Sequence, residues 1–312
     1  MSTTILQPVS PTAAGPASAD ISVVIPTFKR AATLDQVLPS YLLPQVREIL
    51  IVDDCSPDNT AEVASRWAQR DGRIHYLRQP SNQGVCAARN AGVAHTVGRY
   101  VFFGEDDAYP LPDALARMRQ AMIDHQVDIV GSRTIHLMGE PACEALARPA
   151  GTHPPVDLGR LRFWFNSAWE GEVPAVHAWM LVRREVFTEA AFDPGYIGSA
   201  YREETDFCFN AGQAGFKLWF CGRAVMIHLS RQGSGGQWAR SRWKYERSAI
   251  RNNWRMLRKH HAYLKRDWNL HRPAWLMQAA FIGERGRRMA AFLWSRLYYR
   301  LRWYGQKLTG RA

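Results

Sequence analysis

The chain has 312 residues, 46% of them hydrophobic, and a formal net charge of +12. That length and apolar content can bury one sizeable core or two smaller ones, which excludes a wholly disordered chain. The five cysteines (Cys55, Cys86, Cys143, Cys208, Cys221) form an odd set without a Cys-x-x-Cys pair, which excludes a disulfide framework or zinc cage and fits a reducing cytoplasm.

Residues 1–19 hold no Lys or Arg and one short apolar pair, Ile5 and Leu6, so they read as a disordered lead and not as a signal peptide. Apolar runs then alternate with helical periods. Strands are predicted over 21–25, 48–52, 74–78 and 100–103, and helices over 33–43, 60–70, 84–96 and 113–125. Strand and helix alternating through short connections imply parallel strands and right-handed crossovers. Asp58, Asn59 and Thr60 are helix-start residues, for which capping is the simplest role. Residues 139–159, rich in Pro, Gly and Ala, read as a long mobile loop of the kind used for lids or acceptor binding. A strand over 175–182, a helix starting at 183–188, a helix over 203–215 and short strands over 217–220 and 224–228 follow. Three glycines within 231–236 mark a flexible hinge. This organisation gives an α/β unit with a nucleotide-binding half over 20–135, an acceptor half over 136–237, and a separate extension over 238–312.

The extension carries nineteen Lys and Arg against three acids, and seven of the twelve tryptophans. Its first helix repeats Ile250, Trp254, Leu257, His261 and Leu264 on one stripe with Arg247, Arg251, Arg255 and Arg258 beside it. The second repeats Met289, Leu293, Leu297, Leu301, Tyr304 and Leu308 among Arg288, Arg296, Arg300 and Arg302. Basic amphipathic helices with boundary tryptophans suit an anionic membrane surface; packing of the stripes on the domain or on a second subunit is the alternative. No run reaches the ~18 apolar residues of a spanning helix.

Two strands end in acids. Ile49, Leu50, Ile51 and Val52 run into Asp53 and Asp54; Tyr100, Val101, Phe102 and Phe103 run through Gly104 into Glu105, Asp106 and Asp107. In an open parallel sheet such ends face one crevice. Hard oxygen donors there suit Mg²⁺ or Mn²⁺, and these suit a nucleotide diphosphate.

Three further segments complete a set: Val24-Ile25-Pro26-Thr27-Phe28-Lys29-Arg30, Asn82 through Gly92, and Arg202-Glu203-Glu204-Thr205-Asp206. With them the chain, from Ile21 to His228, resembles the family-2 glycosyltransferases, inverting enzymes with a Rossmann-like GT-A fold. The resemblance implies that Pro26, Thr27, Phe28 and Arg30 line the nucleotide pocket and that Asp54 reads the base of a UDP-, GDP- or dTDP-sugar. Relatives often carry Asn where this chain has Lys29. Arg89 is implied near the phosphates or the Asp pair, with an ordinary ion pair as its alternative. Glu105, Asp106 and Asp107 match the family's Asp-x-Asp signature; Asp107 is the implied metal ligand, with Glu105 and Asp106 at the donor and His228 a second candidate ligand. Glu204 is the implied catalytic base. Glu203, Asp206 and Trp179, with Trp164, are acceptor candidates, although Trp179 and Trp164 also suit a core. The expected reaction is metal-assisted transfer of a sugar to a hydroxyl of a lipid-linked or growing surface polysaccharide, by an enzyme peripheral on the inner face of the membrane.

Two other readings compete. A sugar-nucleotide pyrophosphorylase would want a glycine-rich loop after the first strand, which Thr27-Phe28-Lys29-Arg30 does not supply. A nucleic-acid-binding protein would use the basic aromatic tail but leave the strand-end acids without a task.

Overall fold

The structure, a computed structural model, describes residues 19–229 and 241–308, with the side chains of 295–297 and 299–308 excluded. The expected lead, apart from Ala19, and the glycine hinge at 231–236 lie outside the described residues. In chain order the strands are β1 (Ile21–Thr27), β2 (Val46–Asp53), β3 (Ile74–Arg78), β4 (Tyr100–Phe103), β5 (Ala108–Pro110), β6 (Ile129–His136), β7 (Val156–Asp157), β8 (Arg162–Phe163), β9 (Glu170–Glu172), β10 (Met180–Arg183) and β11 (Leu218–His228). The helices are α1 (Ala31–Val37), α2 (Thr60–Arg70), α3 (Val85–Ala94), α4 (Ala114–Asp124), α5 (Ala142–Ala147), α6 (Glu203–Gln213), α7 (Arg242–Asp267) and α8 (Ala274–Leu308).

One nine-stranded sheet runs through both halves in the order β3-β2-β1-β4-β10-β6-β11-β5, with β9 on β11. β3, β2, β1 and β4 are mutually parallel, β6 is parallel to β11, and β10 is antiparallel to both β4 and β6. The apolar runs follow from burial on both faces. Along β1, Val23 and Ile25 point into one core cluster, while Val24 points into the other; Phe102 and Phe103 of β4 divide in the same way. Each such side chain contributes about 1.5–3 kcal/mol of apolar burial. α3 crosses β1 closely enough that a Cβ on Gly92 would meet Val24 at 2.2 Å, so only hydrogen fits there.

Four local expectations change. The helix expected over 33–43 begins at Ala31 and tightens into a 3₁₀ turn at Leu38–Tyr41, where Pro39 cannot donate to the α ladder. The loop expected over 139–159 contains α5 and β7. The strand expected over 175–182 shrinks to β10; Ala175–Ala178 are mostly buried without joining the ladder. The two strands expected over 217–228 are one strand, β11, whose register shifts between Cys221 and Val225.

Ser241 caps α7, its hydroxyl accepting from the Lys244 amide at 3.4 Å. Met256, Leu257, Tyr263 and Leu264 of α7 belong to the same core cluster as Val24 and Phe103. Leu257 and Leu264 of the first stripe therefore pack on the α/β unit, while Ile250, Trp254 and His261 of that stripe are only half-buried. α8 packs on α7 through Met277, Gln278 and Arg285 and leaves Trp275, Ile282 and Leu293 exposed. No helix among the described residues is long and apolar enough to cross a membrane.

Candidate active site

Because β2, β1 and β4 are adjacent and parallel, their carboxyl ends open on one edge. The backbone carbonyl of Thr27 accepts from the Asp54 amide at 2.9 Å, joining two of those ends. Asp53 is buried and accepts from Ser56 N, Tyr76 Oη and Arg78 Nη1 at 2.8, 2.7 and 2.9 Å, so it is a structural anchor. Asp54, the expected base reader, is also a structural clamp. Its carboxylate accepts from Gln79 Nε2 (2.9 Å), Gln83 N (2.6 Å) and Gly84 N (2.8 Å). It thereby clamps the loop into α3, where Gly84 takes φ +87°. Of the roughly four acceptor sites of a carboxylate, those three donors leave about one for a nucleobase. Pro26 and Thr27 are buried at the end of β1, and Phe28 is half-buried under the ammonium of Lys29, 5.0 Å from its ring centre.

The acids after β4 meet a histidine from the far side of the sheet. β5 pairs antiparallel with β11, His228 opposite Ala108, and the Leu229 amide donates to the Asp107 carbonyl at 2.9 Å. As a result Glu105, Asp107 and His228 each offer one ligand atom, all within 4.8 Å of one another. His228 Nδ1 lies 2.8 Å from the Leu229 carbonyl. A carbonyl only accepts, so the proton sits on Nδ1 and Nε2 faces Asp107 Oδ1 at 3.6 Å. Arg30, just ahead of α1, holds Asp107, with Asp106 3.7 Å from its Nε. Burial, with Asp107 beside it, pushes the Glu105 carboxyl up to about 8, and burial pushes Asp106 up to about 7 against the pull of Arg30. Two carboxylates and one imidazole whose charge is incompletely compensated fit a hard divalent cation such as Mn²⁺ or Mg²⁺. Glu105, expected at the donor, stands within this ligand group.

Tyr41 supports the acidic segment and went unnoticed in the sequence. It is fully buried, and its hydroxyl accepts from the Glu105 amide (3.2 Å) and donates to the Ala108 carbonyl (2.6 Å). Nothing about a tyrosine in a helical period separates it from an ordinary core residue.

Arg89 carries the connection to α6. Its side chain is 1% exposed, with Nη2 3.4 Å from Glu105 and Nη1 bonded to Glu203. The alternative reading of Arg89 as an ion pair is the observed one, and Glu203 is its partner and not an open acceptor ligand. Arg202, ahead of α6, adopts φ +76°, a left-handed conformation that costs a side-chain-bearing residue about 1–3 kcal/mol. Its guanidinium is held by Asn253 Oδ1 (3.2 Å), the Leu161 carbonyl (2.9 Å) and the Phe163 ring (4.2 Å). That turn leaves Glu204 half-buried on the wall of a cavity of about 380 Å³.

Thr134, His136, His177 and Trp164 line the same cavity. Thr134 Oγ1 and His177 Nδ1 are buried without a protein partner among the described residues, and burial pushes the His177 imidazole down to about 3, leaving it neutral. His136 lies opposite His228 in the β6–β11 pairing, their rings 4.9 Å apart. His136 follows Gly131-Ser132-Arg133-Thr134-Ile135, not an apolar run like the one before His228, so no strand-end signal marked it in the sequence. Two expected acceptor residues fall elsewhere. Trp179 is fully buried and stacked 4.4 Å from His177, so its face is closed to a sugar; Trp164, 73% exposed, is open. Asp206 points away into α7, where it accepts from Tyr196 Oη, Lys259 Nζ and His260 Nε2 at 2.9, 2.9 and 2.7 Å. Because its carboxylate is fully enclosed by those groups, it is a latch between helices.

Residues 22–187, more than half of the chain, match the family model for glycosyl transferase family 2. The chain belongs to glycosyl transferase family 2. The matched segment of this family-2 glycosyltransferase includes Asp54, Arg89 and Glu105–Asp107, and stops short of Glu204 and His228. The chain is 31% identical over 113 residues to the uncharacterized glycosyltransferase EpsJ of Bacillus subtilis, covering 36% of this chain and 33% of that one. It is 22% identical over 244 residues to glycosyltransferase GlyA of Streptococcus pneumoniae, covering 72% and 32%. Against the GalNAc(5)-diNAcBac-PP-undecaprenol beta-1,3-glucosyltransferase of Campylobacter jejuni it is 31% identical over 172 residues, covering 54% and 55%. The alignments thus span about a third of the first two relatives and about half of the third. Among solved structures, residues 1–349 of S. aureus TarS, in complex with UDP-GlcNAc, superpose with a TM-score of 0.56 at 14% identity, covering 84% of this chain and 70% of that one. The likeness establishes the GT-A fold.

Proposed function

We propose that this chain transfers a sugar from a nucleoside-diphosphate donor to a hydroxyl of a saccharide acceptor, with inversion, during assembly of a cell-surface polysaccharide on a lipid carrier at the inner face of the membrane. The observation that carries this reading is the buried Arg89, which ties the Glu105–Asp107–His228 cluster to the α6 start bearing Glu204. The lipid-linked acceptor in the name of the Campylobacter relative supports the acceptor class, and the UDP-GlcNAc bound to TarS supports a nucleotide-sugar donor; UDP-, GDP- and dTDP-sugars all suit the site.

Glu105, Asp107 and His228 would hold Mn²⁺ or Mg²⁺. When bound, the cation supplies electrostatic stabilisation of the departing diphosphate. Arg30, now on Asp106 and Asp107, then has its charge free for phosphate oxygens. Glu204 takes the proton from the acceptor hydroxyl as that oxygen bonds to the anomeric carbon, on the face opposite the breaking carbon–oxygen bond to phosphate. Trp164 presents an aromatic face to the acceptor ring, and Thr134 and His177 offer partners for its hydroxyls.

Thermal unfolding with UDP, GDP and dTDP, each with and without Mn²⁺, tests the reading. At about 100-fold excess over Kd a ligand adds about 2.7 kcal/mol to apparent stability. A metal-dependent rise with one of the three is expected. No rise with any of them sinks the assignment.

A further inference from the structure

We propose that the groove between α7 and α8 seats the protein on an anionic lipid bilayer, its apolar floor among acyl chains and the arginines of α7 on headgroup phosphates. The groove is lined by Ile250 and Trp254 of α7 and by Trp275, Ala279 and Ile282 of α8, with a volume of about 400 Å³. Trp275 is 65% exposed and Ile282 44%. The same face of α8 continues to Leu293, since positions 275, 282 and 293 recur at whole turns.

Charge decides the occupant. Arg251 lines the groove, and Arg247 and Arg258 lie one and two turns away on the same face of α7, all three exposed. No carboxylate among the described residues pairs with them. The acids of these helices are engaged elsewhere: Glu246 with Arg285, Asp267 with Arg266, and Glu284 with Arg288. A second copy laid on this face would oppose one arginine row to another. Nucleic acid would satisfy the arginines but leave Ile282 and Leu293 without a matching surface. Anionic lipid satisfies both, with interfacial tryptophan at the boundary.

The placement deepens the proposed function and rests on it for its purpose. Gln278 of the groove floor accepts from Asn253 Nδ2 at 2.8 Å, and Asn253 Oδ1 accepts from Arg202 at the cavity wall. Phe281 packs on Tyr201 of that wall, ring centres 5.7 Å apart. Lipid seat and acceptor cavity thus flank one joint, which suits an acceptor carried on a lipid.

Flotation of the full chain with phosphatidylglycerol-containing vesicles, against pure phosphatidylcholine, tests the seat. The chain is expected to float with the anionic vesicles alone. Trp275→Ser/Ile282→Ser and Arg247→Glu/Arg251→Glu are each expected to weaken that binding by about tenfold or more, with the unfolding midpoint and the nucleotide-dependent shift retained. Absence of flotation, equal flotation with neutral vesicles, or undiminished binding by both variants overturns the proposal. So does a dimer of the parent chain that the Trp275→Ser/Ile282→Ser variant loses, which would assign the groove to a second copy. Flotation retained without any nucleotide shift supports the seat and sinks the transferase reading instead.

Discussion

Arg89 of α3 and Glu203 of α6, 114 positions apart in the chain, form an ion pair closed to solvent, with side chains 1% and 5% exposed. Removing one partner strands the other charge in the interior, at a cost of about 3–5 kcal/mol. Arg89→Met is expected to lose that much in urea unfolding. Adding Glu203→Gln should restore part of it, because the stranded carboxylate is then neutral. Strict additivity of the two changes would show that they are not coupled.

Glu204→Gln keeps the shape of the cavity wall and removes the proposed proton acceptor. Turnover is expected to fall by about 10²–10⁴ while the metal-dependent nucleotide shift stays unchanged. Steady-state kinetics beside the thermal assay separates the two, and undiminished turnover would reassign the base.

The proposed metal site would link cation binding to pH through the acids after β4. The Glu105 carboxyl is raised from 4.5 to about 8 in the metal-free fold. The folded state therefore binds this proton more tightly than the unfolded state, so stability should decline as pH rises from about 4.5 to 8 in EDTA. A divalent cation reverses the local field and competes with the protons. The stabilisation by Mn²⁺ should grow over the same window, and Asp107→Asn should abolish that growth. Unfolding midpoints against pH, with EDTA or Mn²⁺, read both; a metal effect flat across the window contradicts the cluster.

Trp164 and Trp179 should separate by phenotype. Trp164→Ala is expected to raise the acceptor KM with little change in stability, since the ring is mostly in solvent. Trp179→Ala empties a fully buried site and should cost about 3–5 kcal/mol. Acceptor titrations and denaturant melts on both variants check the distinction, and an acceptor-only effect at Trp179 would contradict its burial.

Asp206 holds α6 to α7. Burial alone would raise its carboxyl, but the hydrogen bonds and charges of His260 and Lys259 outweigh it and hold the group below 3.8. Its stabilisation is therefore complete above that value and is lost as pH falls through the depressed one. Asp206→Asn should destabilise the fold by roughly 3 kcal/mol at neutral pH and leave nucleotide affinity intact. An unchanged denaturation midpoint would show that the latch holds nothing.

Much of the site was legible because strand ends leave a local mark. A buried run that stops at Asp53 or Glu105 reveals in a few residues both the strand and the charged edge it reaches. The same holds for Glu204, whose motif lies on one helix turn. The clamp that Asp54 forms is not legible at its strand end: its three donors come from residues 25 to 30 positions later, and no local pattern announces them. Asp206 and Trp179 failed as acceptor residues for the same kind of reason, since a carboxylate or an indole looks alike in sequence whether a distant helix covers it or not.

By itself the sequence determined the alternation of strand and helix, the acid-tipped strands and the basic, tryptophan-rich extension, because each is written in a short apolar run, a period of 3.6 residues or a local excess of like charge. Only the tertiary structure decided that His228 joins Glu105 and Asp107, that Arg89 pairs with Glu203, and that Leu257 and Leu264 of α7 enter the core while α8 keeps an open face. Those outcomes depend on which surfaces meet across the sheet, and contact between distant segments is set by packing of the whole chain.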